Sequence, residues 1–373
     1  MFVERQVELR FDVVSREAET HTNLSAVRVD GADVWVAGDE TATVERLTFR
    51  DDRYDDQRTF HLADFVDLPA GREDEADIEG LARADGWLWA VGSHSLKRRR
   101  VKAHHSPDRA RRRLADVVRE ENRYILLRLP LAGAVPVRED GTRRAEILSG
   151  AGRNLADLIA KDPHLGPFVS IPSKDNGLDI EGIAVVGTRL FVGLRGPVLR
   201  GWAVLLEIRP ESDPRRPGRL RLAPIDGRPY RTHFLDLGGL GVRDLCPYGD
   251  DLLILAGPTM SLDGPIRVLR WRPEDGPSVT HRVETVVDLP HGDRHDHAEG
   301  IAVVDDGRLL VVYDNPAAAR LTPEGGVFAD IVKITGPAPA LRVSPDGETR
   351  RAPGGLSAAG RPGGSQPSPE GVG

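Results

Sequence analysis

The chain has 373 residues, and its 51 Lys and Arg against 58 Asp and Glu give a formal net charge of −7 at pH 7. This acidic balance argues against a protein that binds nucleic acid over its whole surface, and no stretch approaches the roughly 18–20 apolar residues that span a membrane. A single cysteine, Cys246, excludes an internal disulfide and fits a reducing compartment, so we predict a cytoplasmic protein with no membrane association.

The first predicted element is a strand over residues 7–13. The segment from Met1 to Phe11 alternates charged with apolar residues and lacks the hydrophobic region of a signal peptide. It is therefore expected to pair with other strands.

One short phrase then returns five times. In each copy a polar or acidic residue is followed by a small residue and an apolar strand, and after a turn a second apolar run ends in polar residues. The third residues of the copies serve as markers and are Ser25, Glu79, Glu181, Asp244 and Glu299. The markers lie 54, 102, 63 and 55 residues apart. This spacing suits four-stranded blades, so the pattern predicts an all-β fold, a β-propeller.

The copy marked by Glu181 shows the strands most clearly, at residues 183–186, 190–194, 202–208 and 232–237, with turn residues between them. The last copy, after Glu299, is one strand short. We expect the N-terminal strand to complete it and so to close the ring.

Two insertions explain the double-length interval. Residues 96–122 are dense in charge and helix formers, and residues 153–176 begin with a short helical pattern. Five blades are therefore favoured over six, with a basic helical insertion in the second blade. Residues 1–335 are predicted to form one propeller domain, and the Pro, Gly and Ser-rich residues 336–373 a disordered tail.

The start of each inner strand and the end of the next strand should meet at one rim of the central channel, because the two strands are antiparallel. The small residues after the markers, such as Gly80 and Gly182, should let neighbouring backbones approach. The expected rim groups are Ser25 with Asp39 and Glu40, Glu79 with Ser93 and His94, Glu181 with Arg195, Asp244 with Thr259, and Glu299 with Asp314 and Asn315.

So many carboxylates at one rim require neutralising charge. One interpretation is a divalent cation, and the predicted metal ligands are Glu79, Glu181, Asp244, Glu299 and His297. Oxygen donors favour Ca²⁺ or Mg²⁺, whereas the histidine leaves Zn²⁺ as an alternative. In the other interpretation, Arg195, Arg200 and Arg243 neutralise the ring by salt bridges. The same arginines are the predicted contacts for an anionic ligand, and no organic cofactor is indicated.

A basic run between Leu96 and Arg113 holds nine Lys and Arg and a single acid, Asp108. Placed on the same face as the rim, it would form a lid suited to a phosphate- or carboxylate-bearing molecule. A solvated helix, or one paired with acidic loops, is the alternative. Nucleic acid is a weaker candidate, since no aromatic residues for base stacking are interleaved with the basic ones.

Several segments carry a family resemblance. They are Asn154-Leu-Ala-Asp-Leu158, Asp162-Pro-His-Leu-Gly-Pro167, residues 171–182, and Gly193-Leu-Arg-Gly-Pro-Val-Leu-Arg-Gly201. Over about residues 10–335 the chain resembles a bacterial propeller family known as a domain of unknown function. The Asp-x-Glu-Gly phrase is also distantly similar to esterase-like phytases, which implies a propeller with an acidic, calcium-associated site and hydrolytic activity. Glu79, Glu181 and Glu299 match the glutamate of that phrase, whereas Ser25 and Asp244 depart from it.

Familiar phosphate-binding, dinucleotide-binding and serine-nucleophile motifs are absent from the sequence. The predicted function is a metal-assisted ester or phosphoester hydrolase acting on a small anionic molecule. Glu181 and Glu299 would serve as ligands or general base, and Arg195 would be the electrophilic clamp. The alternative is a non-catalytic scaffold that binds a protein or a ligand.

Overall fold

The computed structural model describes residues 3–260, 262–291, 295–305 and 307–335. Strands dominate this part of the chain, and none of its helices is long and apolar enough to cross a membrane. The described residues form three α-helices, α1 (Val13–Glu17), α2 (Pro107–Ala115) and α3 (Leu155–Ile159). The predicted tail at 336–373 lies outside the described residues.

The strands fall into sets that follow one another along the chain. After β1 (Val3–Arg10), the first set has four antiparallel strands: β2 (Leu24–Asp30), β3 (Asp33–Gly38), β4 (Thr43–Arg50) and β5 (Arg53–His61).

One insertion interrupts the second strand set, and the other follows its last strand. Its strands are β6 (Ile78–Ala84), β7 (Trp87–Gly92), β8 (Lys97–Arg98), β9 (Val117–Val118), β10 (Leu126–Ala132), β11 (Val135–Pro136), β12 (Glu139–Asp140), β13 (Arg143–Arg144) and β14 (Glu146–Leu148). The main sheet runs β6-β7-β10, and both β11 and β14 pair with β10. Helix α2 lies between the short pair β8 and β9, so the basic insertion leaves and re-enters the sheet between β7 and β10.

The third strand set agrees closely with the sequence-based prediction. Its strands are β15 (Asp179–Val186), β16 (Arg189–Leu199), β17 (Trp202–Ile208), β18 (Pro210–Ser212), β19 (Leu220–Leu222) and β20 (Arg231–Asp236). Arg200 and Gly201 join β16 to β17 with positive φ angles of 51° and 94°. This two-residue turn matches the twist of the flanking strands.

The fourth and fifth strand sets complete the chain. They comprise β21 (Gly241–Tyr248), β22 (Asp251–Gly257), β23 (Ile266–Trp271), β24 (Val279–Thr280) and β25 (Glu284–Leu289), then β26 (His297–Asp305), β27 (Arg308–Asp314) and β28 (Gly326–Lys333). Strand β24 pairs in parallel with β20 of the third set.

The ends of the described chain meet in one sheet. Strand β1 pairs antiparallel with β28, from Val3 opposite Val332 to Arg10 opposite Gly326. The predicted closure by the N-terminal strand is thereby confirmed, although the strand ends at Arg10 and Val13 already begins α1. The first and fifth sets then share an eight-stranded sheet through a parallel bridge between β1 and β5.

The inner strands surround a central axis. Within the described residues, β2 contacts β6, β6 contacts β15, β15 contacts β21, β21 contacts β26, and β26 contacts β2. The predicted propeller fold is confirmed. Five blades for the whole chain stays a prediction.

Glycines let the inner strands approach. A Cβ atom on Gly182 would lie 2.8 Å from the backbone nitrogen of Leu245, and one on Gly80 would lie 3.0 Å from that of Ile183. Real Cβ atoms essentially never come as near as the first distance, and the second is tighter than nine in ten real Cβ contacts. The small residue of the repeated phrase is therefore required by backbone approach, as the sequence predicts.

Candidate functional site

Every inner strand carries a β-bulge at the same place. The pairing with the second strand shifts between Ile78 and Gly80, for example, so that Glu79 has no directly opposed partner. The residues at this position, named here the bulge residues, are Ser25, Glu79, Glu181, Arg243 and Glu299. A bulge bends a strand and redirects its side chain, which is why it is common beside functional sites.

The bulge corrects the prediction for the fourth repeat. The sequence marks Asp244 as the counterpart of Glu79, but the register places Arg243 there, one residue earlier. Asp244 stands instead where the other strands have Gly80, Gly182, Gly300 and Ala26. Because neighbouring residues of a strand point to opposite sides, this shift gives the two side chains different surroundings.

Asp244 is part of a plug that closes the channel below the bulge residues. Its two carboxylate oxygens accept hydrogen bonds from the terminal nitrogens of Arg28 at 2.8 and 2.9 Å, and also from the backbone N–H groups of Leu245 and Ile301. Arg28 donates further to the carbonyls of Ile183, Leu245 and Ile301. Asp244 is thus fully used within the fold, and the structure does not bring it to the rim with Thr259.

A second set of residues lies at the same end of the strands as the bulge residues. On the first strand of each set, the residue just before the bulge pairs with a residue of the second strand. The residue that follows this partner along the second strand is named here the rim residue. These rim residues are Asp39, Ser93, Arg195, Gly257 and Asp314. The mouth of the channel is defined here as the bulge residues and rim residues together with the acids that precede the bulges, Asp77 and Asp179, and with His297.

The mouth on the side of the first three strand sets is rich in carboxyl groups that hold protons. Burial raises the pKa of Asp39 to about 8, and the negative charges of Asp77 and Asp314 add to the shift. Burial likewise raises the pKa of Asp179 to about 8, with Glu181 as the next contribution. Uncompensated burial and like charge both favour the neutral acid.

Glu79 shares this environment. Burial and the charges of Asp77 and Glu181 raise its pKa well above the usual value for a glutamate. Arg123 forms an ion pair with Asp77 at 2.6 Å, so it neutralises that acid rather than Glu79. Several carboxyl groups here are ready to release a proton when positive charge arrives.

Glu181 lies between these acids and the fifth strand set. It is 2% exposed, and its Oε1 accepts a hydrogen bond from Arg195 Nη1. Its Oε2 is buried with no hydrogen-bond partner among the described residues. Burial raises the pKa of Glu181, although Arg195 opposes the shift. Arg195 also lies 3.8 Å from Asp179 and donates to the carbonyl of Thr259.

Arg243 pairs with a different glutamate. Its Nη1 donates to Oε1 of Glu299, the bulge residue of the next inner strand. Burial alone would raise the pKa of Glu299, but Arg243 and Arg195 outweigh it and lower that pKa. The rim residue of the fourth set is Gly257, and a Cβ atom there would lie 2.6 Å from Arg243 Nε. The missing side chain leaves the space that the guanidinium group occupies.

Three residues of the fifth strand set could hold a metal ion. One ligand atom from each of His297, Glu299 and Asp314 lies within 4.8 Å of the other two. Donors to one ion sit roughly 2.0–2.6 Å from it, which allows separations of about 3–5 Å between them. Burial and the charge of Glu299 raise the pKa of Asp314 to about 6. The group fits a divalent cation in spacing and donor chemistry.

The predicted site residues therefore separate into those at the mouth and those elsewhere. Glu79, Glu181, Glu299, His297, Arg195 and Arg243 are at the mouth. Asp244 is in the plug, and Arg200 is at the exposed tip of the β16–β17 turn. His94 is also buried away from the rim group: its Nδ1 bonds the carbonyl of Gly92, and burial lowers its pKa to about 4.

The basic insertion is held by acidic loops. Lys97 pairs with Glu75 at 2.6 Å, and Arg98 pairs with Asp175. None of the residues of α2 is buried. These contacts correspond to the alternative in which the insertion pairs with acidic loops, and the lid stays a prediction.

Lys174 acts on the acids of the mouth, and the sequence does not reveal it. It lies in the second insertion, and its positive charge opposes the effect of burial on the pKa of Asp39, Asp179 and Asp314. A lone lysine between Ser173 and Asp175 belongs to no motif. Only the fold of the 153–176 insertion brings it near those acids.

Comparisons with solved structures find distant similarity. The chain is similar to the glutaminyl cyclase of Myxococcus xanthus, with 12% identity and a TM-score of 0.39, over 89% of this chain and 97% of that chain. It is similar to the PQQ-bound aldose sugar dehydrogenase of Streptomyces coelicolor, with 10% identity and a TM-score of 0.37, over 88% and 98% of the chains. A putative 6-phosphogluconolactonase of Bacteroides uniformis shows 12% identity and a TM-score of 0.32, over 83% and 70%.

A search among curated proteins finds no match. The similarity to esterase-like phytases stays a prediction. Residues 23–330 match the family described as "Protein of unknown function (DUF3616)", which spans most of the chain. The protein therefore belongs to the DUF3616 family.

Proposed function

We propose that the mouth binds a divalent metal ion through His297, Glu299 and Asp314 and hydrolyses an ester or phosphoester bond in a small anionic substrate. One observation carries the proposal: three donor atoms lie within 4.8 Å of one another, and the charge of one of these residues, Glu299, acts on Glu181, whose Oε2 is buried without a partner among the described residues. A donor group next to an unused, buried carboxyl oxygen is what metal-assisted acid–base chemistry requires.

The donor set bears on the identity of the metal. The sequence favours Ca²⁺ because most candidate ligands are carboxylates. One imidazole with two carboxylates is a set that Zn²⁺ or Mn²⁺ accepts more readily than Ca²⁺, which prefers oxygen donors alone. A bound ion would supply Lewis acidity toward a water molecule or an ester oxygen.

The residues of the chain have separate tasks in this proposal. Glu181 exchanges a proton with the reacting groups, since burial raises its pKa and its Oε2 has no partner among the described residues. Arg195 and Lys174 supply positive charge for the anionic part of the substrate. Hydrolysis agrees with the activity that the Asp-x-Glu-Gly resemblance implies.

Metal binding is the first test. Purified protein freed of metal is titrated with Zn²⁺, Mn²⁺ and Ca²⁺ by calorimetry, and the His297→Ala variant is compared with His295→Ala. His295 is an exposed histidine two residues away and is outside the donor group, so it is a matched control. We expect His297→Ala to lose at least the roughly ten- to hundredfold in affinity that loss of an outer-shell partner costs, with no change in the control.

Turnover is the second test. Generic ester and phosphoester substrates are offered to the metal-loaded protein and to Glu181→Gln. Metal-dependent turnover that Glu181→Gln lowers by about a hundredfold or more supports the assigned proton exchange. A protein that binds metal without any turnover would instead be a metal-stabilised binding scaffold. A protein that binds none of the three ions would contradict the proposal.

A further inference from the structure

The carboxylate of Glu299 has two competing partners. Its Oε1 accepts a hydrogen bond from Arg243, and the same side chain belongs to the donor group with His297 and Asp314. A carboxylate that binds a divalent ion has less negative charge left for a second cation. Metal binding must therefore weaken the attraction between Glu299 and Arg243.

Arg243 cannot easily exchange that attraction for water. Its side chain is 8% exposed, and its Nε is buried without a hydrogen-bond partner among the described residues. A buried guanidinium group that loses its carboxylate is left with an uncompensated charge, which is costly. It needs another anion.

The neighbouring arginine is in a related position. Arg195 donates to Oε1 of Glu181, and its charge also acts on Glu299. In the absence of metal, each of these arginines pairs with one glutamate. A divalent ion bound by Glu299 adds two positive charges beside them.

We propose that Arg243 and Arg195 form an anion-binding site that opens when a divalent cation takes Glu299 away from Arg243. The ligand is the phosphate or carboxylate group of the substrate, and guanidinium groups suit both because they donate two parallel hydrogen bonds. This inference rests on the proposed metal site. Cation and anion then bind with positive coupling, and each strengthens the other by the same factor.

The test measures the coupling with sulfate, a tetrahedral anion that keeps Zn²⁺ and Mn²⁺ in solution. Sulfate affinity is determined by calorimetry on the wild-type protein without metal and with saturating Mn²⁺, in a chloride buffer. We expect the dissociation constant of sulfate to fall on the order of tenfold when the metal is present, and that of Mn²⁺ to fall equally when sulfate is present. An unchanged sulfate affinity on metal-loaded protein overturns the proposal.

Two variants separate the role of the arginine from that of the metal. Glu299→Gln removes the charge that holds Arg243, so without metal it should bind sulfate more tightly than the wild type does. Arg243→Gln should keep its metal but lose the gain in sulfate affinity, and Arg243→Lys provides a second variant that keeps the charge. Circular dichroism and melting confirm that each variant is folded.

The outcomes distinguish this inference from the proposed function. If the wild type binds no metal, the proposed function fails, and Glu299→Gln still decides whether the glutamate masks an anion site. If Glu299→Gln binds sulfate no better than the metal-free wild type, the masking is wrong. If the metal still improves sulfate binding in Arg243→Gln, the anion sits on the metal itself and the proposed arginine site is wrong.

Discussion

Two layers of the same channel use arginine and carboxylate side chains in opposite ways. In the plug, both oxygens of Asp244 and both terminal nitrogens of Arg28 are bonded, and the two residues are 0% and 4% exposed. In the mouth above it, Glu181 and Arg243 are also buried in pairs. Arg243 has an unbonded Nε, as Arg28 does, but Glu181 in addition has a carboxylate oxygen without a hydrogen-bond partner among the described residues.

This difference separates a structural ion pair from a reactive one. Buried polar groups stabilise a fold only when their hydrogen bonds are complete. Both carboxylate oxygens of Asp244 meet that condition, although Arg28 Nε has no partner among the described residues. The plug joins the first, third, fourth and fifth inner strands. In the mouth, Oε2 of Glu181 has no partner among the described residues, which is why we assign binding to the mouth and closure to the plug.

The largest expected effect is a contrast between Asp244→Asn and Glu181→Gln. The Asn amide group would direct its own N–H groups at donors that now bond Asp244, so unfolding free energy should fall by about 3–5 kcal/mol. Glu181→Gln should cost less than about 1.5 kcal/mol, because Asp179 remains 3.8 Å from Arg195 and the unbonded oxygen is lost. Urea denaturation followed by fluorescence measures both.

The Arg58→Met variant, which changes an exposed arginine, provides the baseline for these measurements. Equal losses of stability in Asp244→Asn and Glu181→Gln would contradict the distinction between plug and mouth.

The next effect compares two glycines beside the mouth arginines. A Cβ atom on Gly241 would lie 2.0 Å from the backbone oxygen of Arg195, whereas one on Gly257 would meet the side chain of Arg243. Gly241→Ala should therefore destabilise by roughly 1–3 kcal/mol, and Gly257→Ala by about 1 kcal/mol or less. Melting temperatures test the order.

Gly257→Ala should in addition alter sulfate binding, because it displaces the Arg243 guanidinium group. A Gly241→Ala variant as stable as the wild type would show that the inner strands can separate at the mouth.

The third effect is on pH dependence. Folding raises the pKa of both Asp39 and Asp179 to about 8, from about 3.9 in an unfolded chain. Between these two values the folded protein holds protons that the unfolded chain has released. The contribution of Asp39 and Asp179 to stability is therefore fully present below about pH 4 and is lost as the pH rises to about 8. We expect the Tm of metal-free protein to fall by at least roughly 2 °C between pH 5 and pH 8.

Asp39→Asn and Asp179→Asn should each flatten this slope. Hydrogen bonds from Lys97 and Arg123 lower the pKa of Glu75 to about 2, against the effect of burial. The contribution of Glu75 to stability is therefore lost only in stronger acid, and it does not affect the slope between pH 5 and pH 8. A slope of the opposite sign would mean that the mouth is neutralised in some other way.

The smallest effect concerns an ion pair outside both layers. Arg98 and Asp175 are 33% and 39% exposed, so solvent screens their attraction. Arg98→Gln should change the free energy of unfolding by no more than about 1 kcal/mol. Thermal melting at low and high salt checks this, and a loss as large as that of Asp244→Asn would make the insertion part of the core.

Much of the fold follows from local sequence pattern. The strands of the third set appear within a few residues of their predicted bounds, because apolar runs and turn residues act over short distances. The small residue after four of the five markers is likewise readable, since a close approach of the backbones leaves little room for a side chain. The N-terminal strand is one exception in its length, because Asp12 caps α1 and ends the strand early.

The site is harder to predict for a definite reason. In the fourth repeat, Arg243 and Asp244 are both polar, and pattern alone does not tell which one occupies the bulge. A bulge shifts the register by one residue and thereby exchanges the faces of neighbouring side chains. For this reason Asp244, a metal ligand in the sequence-based prediction, lies in the plug instead. The sequence does not indicate Lys174 either, because it lies in an insertion that only the fold brings near the mouth.

The sequence by itself determined the repeating strands, the close-packed glycines and the concentration of acids at one end of the inner strands, all of which depend on residues near one another in the chain. Only the tertiary structure decided how the charges are paired. Arg28 meets Asp244 across 216 residues of sequence, and Arg243 meets Glu299 across 56. The same residue types became a closed plug in one layer and an unsatisfied mouth in the next, because closure of the ring, and no local pattern, sets which side chains share the axis.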